Sequence, residues 1–394
     1  MDTQQHVGEA PKKMATRWRP ARRLAVELLV VLLLVAVFVP WNSLMTRVRD
    51  DSLPPRSLAY VQLSGDVSDS PWEIAAFDEE TGAVVARVPT AHQPMVLPHP
   101  SGEQLYLVET RWDHAMQGTV SLSLMDTATW TRHTTVTIEH APLALALSPD
   151  RTNLLVRTTN MLGDYWLDVY DARTLERPSG EQRVDLPRGC GAGWLVPTAN
   201  EVALVCGGVT ESGPDGVAAR PLAVLFIDPA EMQITANVLM DGGGILRSGR
   251  VAGIATPADG TSLYVVFTNL QMLEIDASTH EIVPNVRTYS TFDQKVITVA
   301  SVADDALLVA VRDALVVGTF AQLRRFALPT LEELPAPSLP DGPRFAPGAH
   351  GTLYRWQSES TDFTVRTLAD GSERVVSLGA TLPNVITVLR SDSR

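Results

Sequence analysis

The 394-residue chain has little positive charge, only two cysteines and none of the residue pairings that mark a catalytic motif. Lysine occurs only as Lys12, Lys13 and Lys295, so arginine carries most of the basic charge, a usage expected of a GC-rich bacterial coding background. The formal net charge is −13, and the first 23 residues hold six of the 32 Lys/Arg but only two of the 45 Asp/Glu. The remainder is therefore more acidic still, and a domain of that sign repels nucleic acid and anionic lipid. The histidines (His6, His92, His99, His114, His133, His140, His280 and His350) include no two at metal-ligand spacing within one element, so no local metal motif and no cofactor are expected. No G-x-S-x-G elbow supports Ser/His/Asp catalysis, and no catalytic residue is assigned.

Cys190 and Cys206 flank Pro197-Thr198-Ala199-Asn200, the turn of a predicted hairpin. Both are equidistant from Thr198, so antiparallel pairing about that turn sets them opposite each other. An extracytoplasmic disulfide is then geometrically credible, with two buried thiols as the alternative.

The N-terminus is basic through Lys12, Lys13, Arg17, Arg19, Arg22 and Arg23, and Leu24 to Val39 is apolar except for Glu27. An uncleaved signal anchor competes with a cleaved signal peptide and with a buried helix; the apolar run of ~16 residues is at the short end for a span. No small-x-small cleavage site follows, and Trp41 suits a membrane interface. The expected layout is a cytoplasmic basic tail (1–23), one transmembrane signal anchor (24–41), a linker (42–56) and a domain over 57–391. The positive-inside rule makes that domain extracytoplasmic and the chain a single-pass membrane protein.

Beyond residue 57 helical periodicity nearly vanishes and one phrase recurs. A strand ends in Asp, and the turn D-x-x-T follows at Asp78–Thr81, Asp126–Thr129, Asp171–Thr174, Asp228–Glu231 and Asp276–Thr279, with degenerate copies at 327–330 and 369–372. A second series of corners runs Pro100-Ser101-Gly102, Pro149-Asp150, Pro197-Thr198, Pro257 to Gly260, Ala303-Asp304-Asp305 and Pro347-Gly348. Asp accepts backbone N–H bonds two residues on and Pro presets φ, so these residues are read as turn-formers rather than as calcium ligands or catalysts. A period in the forties of residues built from short strands means a β-propeller. The first repeat lacks an inner strand and the chain ends with a spare one, Leu382 to Leu389. If that strand completes the first repeat, seven blades close into a ring: 57–91 plus 383–390, 92–140, 141–188, 189–240, 250–290, 295–338 and 342–380.

The stretch Leu105-Tyr106-Leu107-Val108, Val120 to Thr129, Val136-Thr137-Ile138 and Leu147-Ser148-Pro149-Asp150 resembles the YVTN-type, WD40-like seven-bladed β-propeller repeat, with Tyr264-Val265-Val266-Phe267-Thr268-Asn269 as another copy of its first phrase. The resemblance covers about 57–390 and implies an all-β fold. It does not imply an activity, because the wider group includes lactonases, quinoprotein dehydrogenase subunits and interaction platforms.

In such a blade the D-x-x-T turns and Pro corners share one rim, the bottom, and the remaining connections share the top. The excess length is at the top: Arg111 to Gly118, Thr158 to Asp164, Gly207 to Pro221 and Asp241 to Arg250. Trp112, Asp113 and His114 form its densest patch of interaction-prone side chains. Gly242-Gly243-Gly244 followed by Arg247 and Arg250 is a second candidate for a ligand or partner, or a plain flexible connection. Trp166, Trp194 and Trp356 are expected in the inter-blade core. The leading expectation is a membrane-anchored binding or protein-interaction scaffold whose top face takes an unidentified protein or small ligand. A propeller enzyme, lactonase, hydrolase or quinoprotein-like oxidoreductase, would instead converge titratable groups on the central channel, and a purely structural envelope component would have a featureless top.

Overall fold

The computed structural model describes residues 58–390 apart from 65–71, 91–93, 113–117, 161, 179–182, 188–189, 191–192, 207–209, 214–215, 220–221, 241–250, 258, 289–293, 303–305, 314–321, 336–343, 348–351, 357–361, 368–371 and 379–383. The expected tail, anchor and linker lie outside the described residues, among which no helix is long and apolar enough to cross a membrane.

Strand, tight turn and strand repeat until seven four-stranded antiparallel sheets are complete. Blade 1 contains Leu58–Ser64, Trp72–Asp78 and Val84–Thr90; blade 2 contains Met95–Pro98, Gln104–Trp112, Gly118–Asp126 and Thr131–Ile138. Blade 3 is built of Ala141–Leu147, Asn153–Thr159, Tyr165–Asp171 and Arg183–Leu186, and blade 4 of Leu195–Pro197, Val202–Cys206, Ala223–Asp228 and Gln233–Leu239. Blades 5 to 7 begin at Val251–Ala255, Gln294–Val302 and Arg344–Pro347 and end at Ile282–Thr288, Glu333–Leu334 and Glu373–Ser377. The spare C-terminal strand, Asn384–Arg390, pairs antiparallel with Leu58–Ser64, setting Tyr60 opposite Leu389. It supplies the missing inner strand of blade 1, so the chain is a closed seven-bladed β-propeller.

Position in the blade explains the sequence pattern. First strands touch first strands of neighbouring blades and line the axis. Second strands are covered on both faces by adjacent blades and are almost continuously apolar; all five residues of Val202–Cys206 are buried. Tyr60, Tyr106, Tyr264 and Tyr354 occupy matching places in these strands and are buried. Fourth strands border solvent, and Thr131–Ile138 is exposed along much of its length.

The repeated aspartates build the turns. Oδ1 of Asp126 accepts N–H bonds from Ala128 (2.8 Å) and Thr129 (2.7 Å), and Asp171 does the same for Arg173 and Thr174 (both 2.8 Å). Asp276 takes the backbone of Ser278 and Thr279 and the Ser278 hydroxyl at 2.7 Å. In blade 7 the bond from Thr367 N to Ser372 O shows that the turn starts at Thr367, two residues before the sequence-based placement, because no Asp marks it. The fifth turn residue is left-handed: Gly82, Trp130, Leu175, Met232, His280 and Leu331 have φ between 53° and 72°. Its side chain enters the seam with the preceding blade. Trp130 packs edge-on to Tyr60 at 6.4 Å, His280 lies 4.4 Å from Phe226, and Leu175 joins Tyr106 in one cluster.

Candidate functional site

Backbone bonds sort the connections into two rims. Thr127 N to Glu103 O (3.0 Å), Ala172 N to Thr152 O (2.9 Å) and Ala277 N to Thr261 O (2.9 Å) lock each D-x-x-T turn against the first corner of its own blade. These form the tight bottom rim. Leu58 pairs with Asp78 and Ala59 with Arg390, so the first and last described residues are at the bottom too. The top carries a separate two-stranded hairpin, Thr210–Gly213 with Gly216–Ala219, inserted between the second and third strands of blade 4.

Trp112 ends the second strand of blade 2 and pairs through its backbone with Gly118, so both are at the top ends of their strands. Asp113, His114, Arg247 and Arg250 lie outside the described residues, so the structure brings none of these candidates together. Cys190 and Cys206 are joined in a disulfide with a Cα–Cα distance of 4.2 Å, but by a different route from the expected hairpin pairing. The hairpin register sets Leu195 opposite Leu204 and Pro197 opposite Val202. Cys206 therefore passes beyond the paired strand, and Cys190 meets it from the connection ahead of that strand, where Cys190 N bonds Pro187 O at 3.3 Å. Trp194 is also not inter-blade core. It precedes the short first strand and is 38% exposed.

The sequence marked the Thr158 to Asp164 connection only by its length, and the side-chain arrangement in and below it had no sequence signal. In blade 3, Asn160 Oδ1 accepts N–H bonds from Leu162 (2.9 Å) and Asp164 (3.0 Å), its Nδ2 donates to the Asp164 carboxylate, and Gly163 takes φ 79°. This ordered turn holds Leu162 out at 84% exposure, on the rim that also presents Trp194 and Leu239, the latter 53% exposed. Deeper in the same blade, buried Asp168 accepts from Thr158 Oγ1 (2.8 Å) and Arg183 Nε (2.9 Å), with Arg177 at 3.6 Å. Arg183 also sits 4.9 Å over Trp166, which stacks on His140 at 4.4 Å. These ionisable groups are carried mainly by the third and fourth strands and their flanking connections, not by the axis-lining first strands. Among the described residues no three His, Cys, Asp or Glu side chains are grouped as a metal site.

The ring and its two rims are those of known propellers. The β-propeller domain of the trilobed protease from Pyrococcus furiosus is similar over 81% of this chain and 94% of its own, with 12% identity and a TM-score of 0.53. That domain is described as having an open velcro topology, whereas here the first and last strands pair. An acylaminoacyl peptidase matches 82% of the chain at 11% identity and TM-score 0.55, and the dihydro-heme d1 dehydrogenase NirN matches 83% at 14% and 0.51. The chain spans 51% and 65% of those two proteins, respectively. No protein-family profile and no curated protein sequence matches the chain. The likeness is one of fold alone.

Proposed function

We propose that this chain is a membrane-tethered extracytoplasmic binding scaffold whose top rim takes a protein or small-molecule partner. The observation that carries the reading is the contrast between rims. The described D-x-x-T turns of the bottom bond their own backbone through the aspartates, while at the top the hydrogen bonds of Asn160 accompany a Leu162 that projects into solvent. Leu162, Trp194 and Leu239 are exposed apolar side chains on that rim, and a partner that covers them removes apolar surface from water. The disulfide supports an oxidising compartment. The basic then apolar N-terminus supports a tether, and because the propeller's ends lie at the bottom, a tethered molecule turns its top away from the bilayer.

A photo-reactive amino acid placed at Leu162, Trp194 or Leu239 in intact cells is expected to give a discrete adduct, and at Ala128 or Arg173 on the bottom rim none. Equal or bottom-only adducts contradict the reading. A cysteine label at Gly216 should react with an external, membrane-impermeant reagent while one at Gln5 stays protected; the reverse pattern contradicts the tether and its orientation.

A further inference from the structure

The outer edge of a sheet is a row of backbone N–H and C=O groups that another chain can join, and proteins protect such rows with charge, proline or brevity. Six of the seven outer strands of this propeller are protected in one of these ways. Val84–Thr90 has Arg87 and Pro89, Thr131–Ile138 has Arg132 and His133, and Arg183–Leu186 has Arg183 and Asp185. Ile282–Thr288 has Pro284 and Arg287, Glu333–Leu334 is two residues long, and Glu373–Ser377 opens on Glu373 and Arg374. The outer strand of blade 4, Gln233–Leu239, reads Gln-Ile-Thr-Ala-Asn-Val-Leu, seven residues with neither a charge nor a proline.

This strand faces solvent. Gln233, Ile234, Thr235, Asn237 and Leu239 are exposed, and Ile234 and Leu239 are among the large apolar side chains that the molecule leaves in water. Inward, a bulge just after the turn takes Thr235 out of register, and Ala236–Leu239 then pair one to one with Phe226–Ala223. The regular part of the strand is thus continuous with the rest of the blade. Outward, among the described residues, no strand pairs with it.

We propose that Gln233–Leu239 is a homodimer edge, pairing antiparallel with the same strand of a second copy and joining two four-stranded blade 4 sheets into one. Charge selects a second copy as the occupant. The chain carries a formal net charge of −13, so most of its surface repels its own copy. An isologous strand pair also sets like residues close together, where like charges destabilise the ladder. Arg87, at the centre of Val84–Thr90, would meet itself in such a pair, whereas Gln233–Leu239 brings no charge to any register. Pairing covers Ile234 and Leu239 and gives the outward backbone groups their partners. The geometry allows it. Three steps of sheet twist turn the outer strand by roughly 60–75° from the inner one, so it runs more around the ring than between its rims. Two copies side by side with their rims level can therefore lay these strands antiparallel.

The test begins with light scattering on the purified full-length chain. Wild type is expected to show a dimer mass, and Ile234→Lys/Asn237→Lys, which places two lysines on the edge, half that mass at an unchanged thermal midpoint. Added sodium chloride should raise the dimer fraction, because it screens the repulsion between two acidic copies. A monomeric wild type, a variant that stays dimeric, or a dimer that salt dissociates overturns the proposal. If the lysine variant fails to fold, single cysteines decide. The two native cysteines are bonded to each other, so an introduced cysteine is the one free thiol. Under mild oxidation in membranes, Asn237→Cys is expected to give a disulfide-linked homodimer, and Val85→Cys and Val375→Cys, on the outer strands of blades 1 and 7, none. Equal cross-linking at all three positions, none at Asn237→Cys, or a product of Asn237→Cys with a different protein overturns it. The edge is on the flank of the ring, so its failure leaves the top-rim reading standing.

Discussion

In the tight turns and corners, one left-handed backbone geometry carries opposite consequences depending on where the side chain goes. A left-handed non-glycine residue costs about 1–2 kcal/mol, yet Leu175 is buried in the blade 2–3 seam. Leu175→Gly should therefore destabilise by about 1–3 kcal/mol, the lost burial outweighing the relieved strain. Arg151, at φ 61° in an exposed corner, has no such burial, so Arg151→Gly should stabilise by about 0.5–1 kcal/mol in chemical denaturation. Equal signs for the two variants would refute the seam role. The aspartates predict a pH dependence. The Ser278 hydroxyl and the backbone N–H groups of Thr279 and Ser278 hold Asp276 down at about 2, against an ordinary value of 3.8. For Asp126 and Asp171 burial pulls upward and is outweighed by N–H and hydroxyl donors. A lowered folded value means stability that is present above about pH 3.8 and lost as pH falls toward 2. Asp276→Asn should flatten part of that acid slope in a melting-temperature series. These caps were legible because donor and acceptor lie within three residues. The left-handed position was not, because Gly, Trp, Leu, Met and His all occupy it and only the neighbouring blade explains them.

Among elements, the seam between blades 7 and 1 has to hold a sheet built from both ends of the domain. Phe77, Tyr354 and Phe363 form an aromatic cluster across it with centroids 4.8–5.9 Å apart. Arg374 of blade 7 donates to the carbonyls of Glu79 and Glu80 in the first turn, and Tyr354 donates to Glu79. Charge-assisted bonds between blades predict that Arg374→Ala costs about 1–3 kcal/mol. The exposed Arg87–Glu73 pair within blade 1 predicts at most about 1 kcal/mol for Arg87→Ala; a larger loss for Arg87→Ala in urea unfolding would reverse that ranking. Among the described residues Thr210–Gly213 and Gly216–Ala219 pair with each other and with no blade, so deleting this hairpin should leave the unfolding midpoint nearly unchanged while reducing top-rim adducts. Blade boundaries could be read from the sequence because two turn series punctuate every repeat. The inserted hairpin and the disulfide route could not, since both depend on connections where the repeat is broken and a register extrapolated from the turn at Pro197 no longer applies.

For the whole molecule, a repeating phrase makes the ring and the interruptions make its asymmetry. The first repeat can bury both faces of Leu58–Ser64 and satisfy its edge only when Asn384–Arg390 returns to it, which couples the two ends of the domain into one cooperative unit. Strand count and the leftover C-terminal strand made this closure legible in the sequence, whereas the connection Thr158 to Asp164 was marked only by its length and nothing singled out Leu162 as the side chain it exposes. The most direct measurement is the thermal unfolding of the full-length chain beside a chain ending at Leu382. A ring closed by its own last strand predicts that the truncated chain has no cooperative transition near the full-length midpoint. A truncated chain that unfolds cooperatively at the same temperature would contradict the closure.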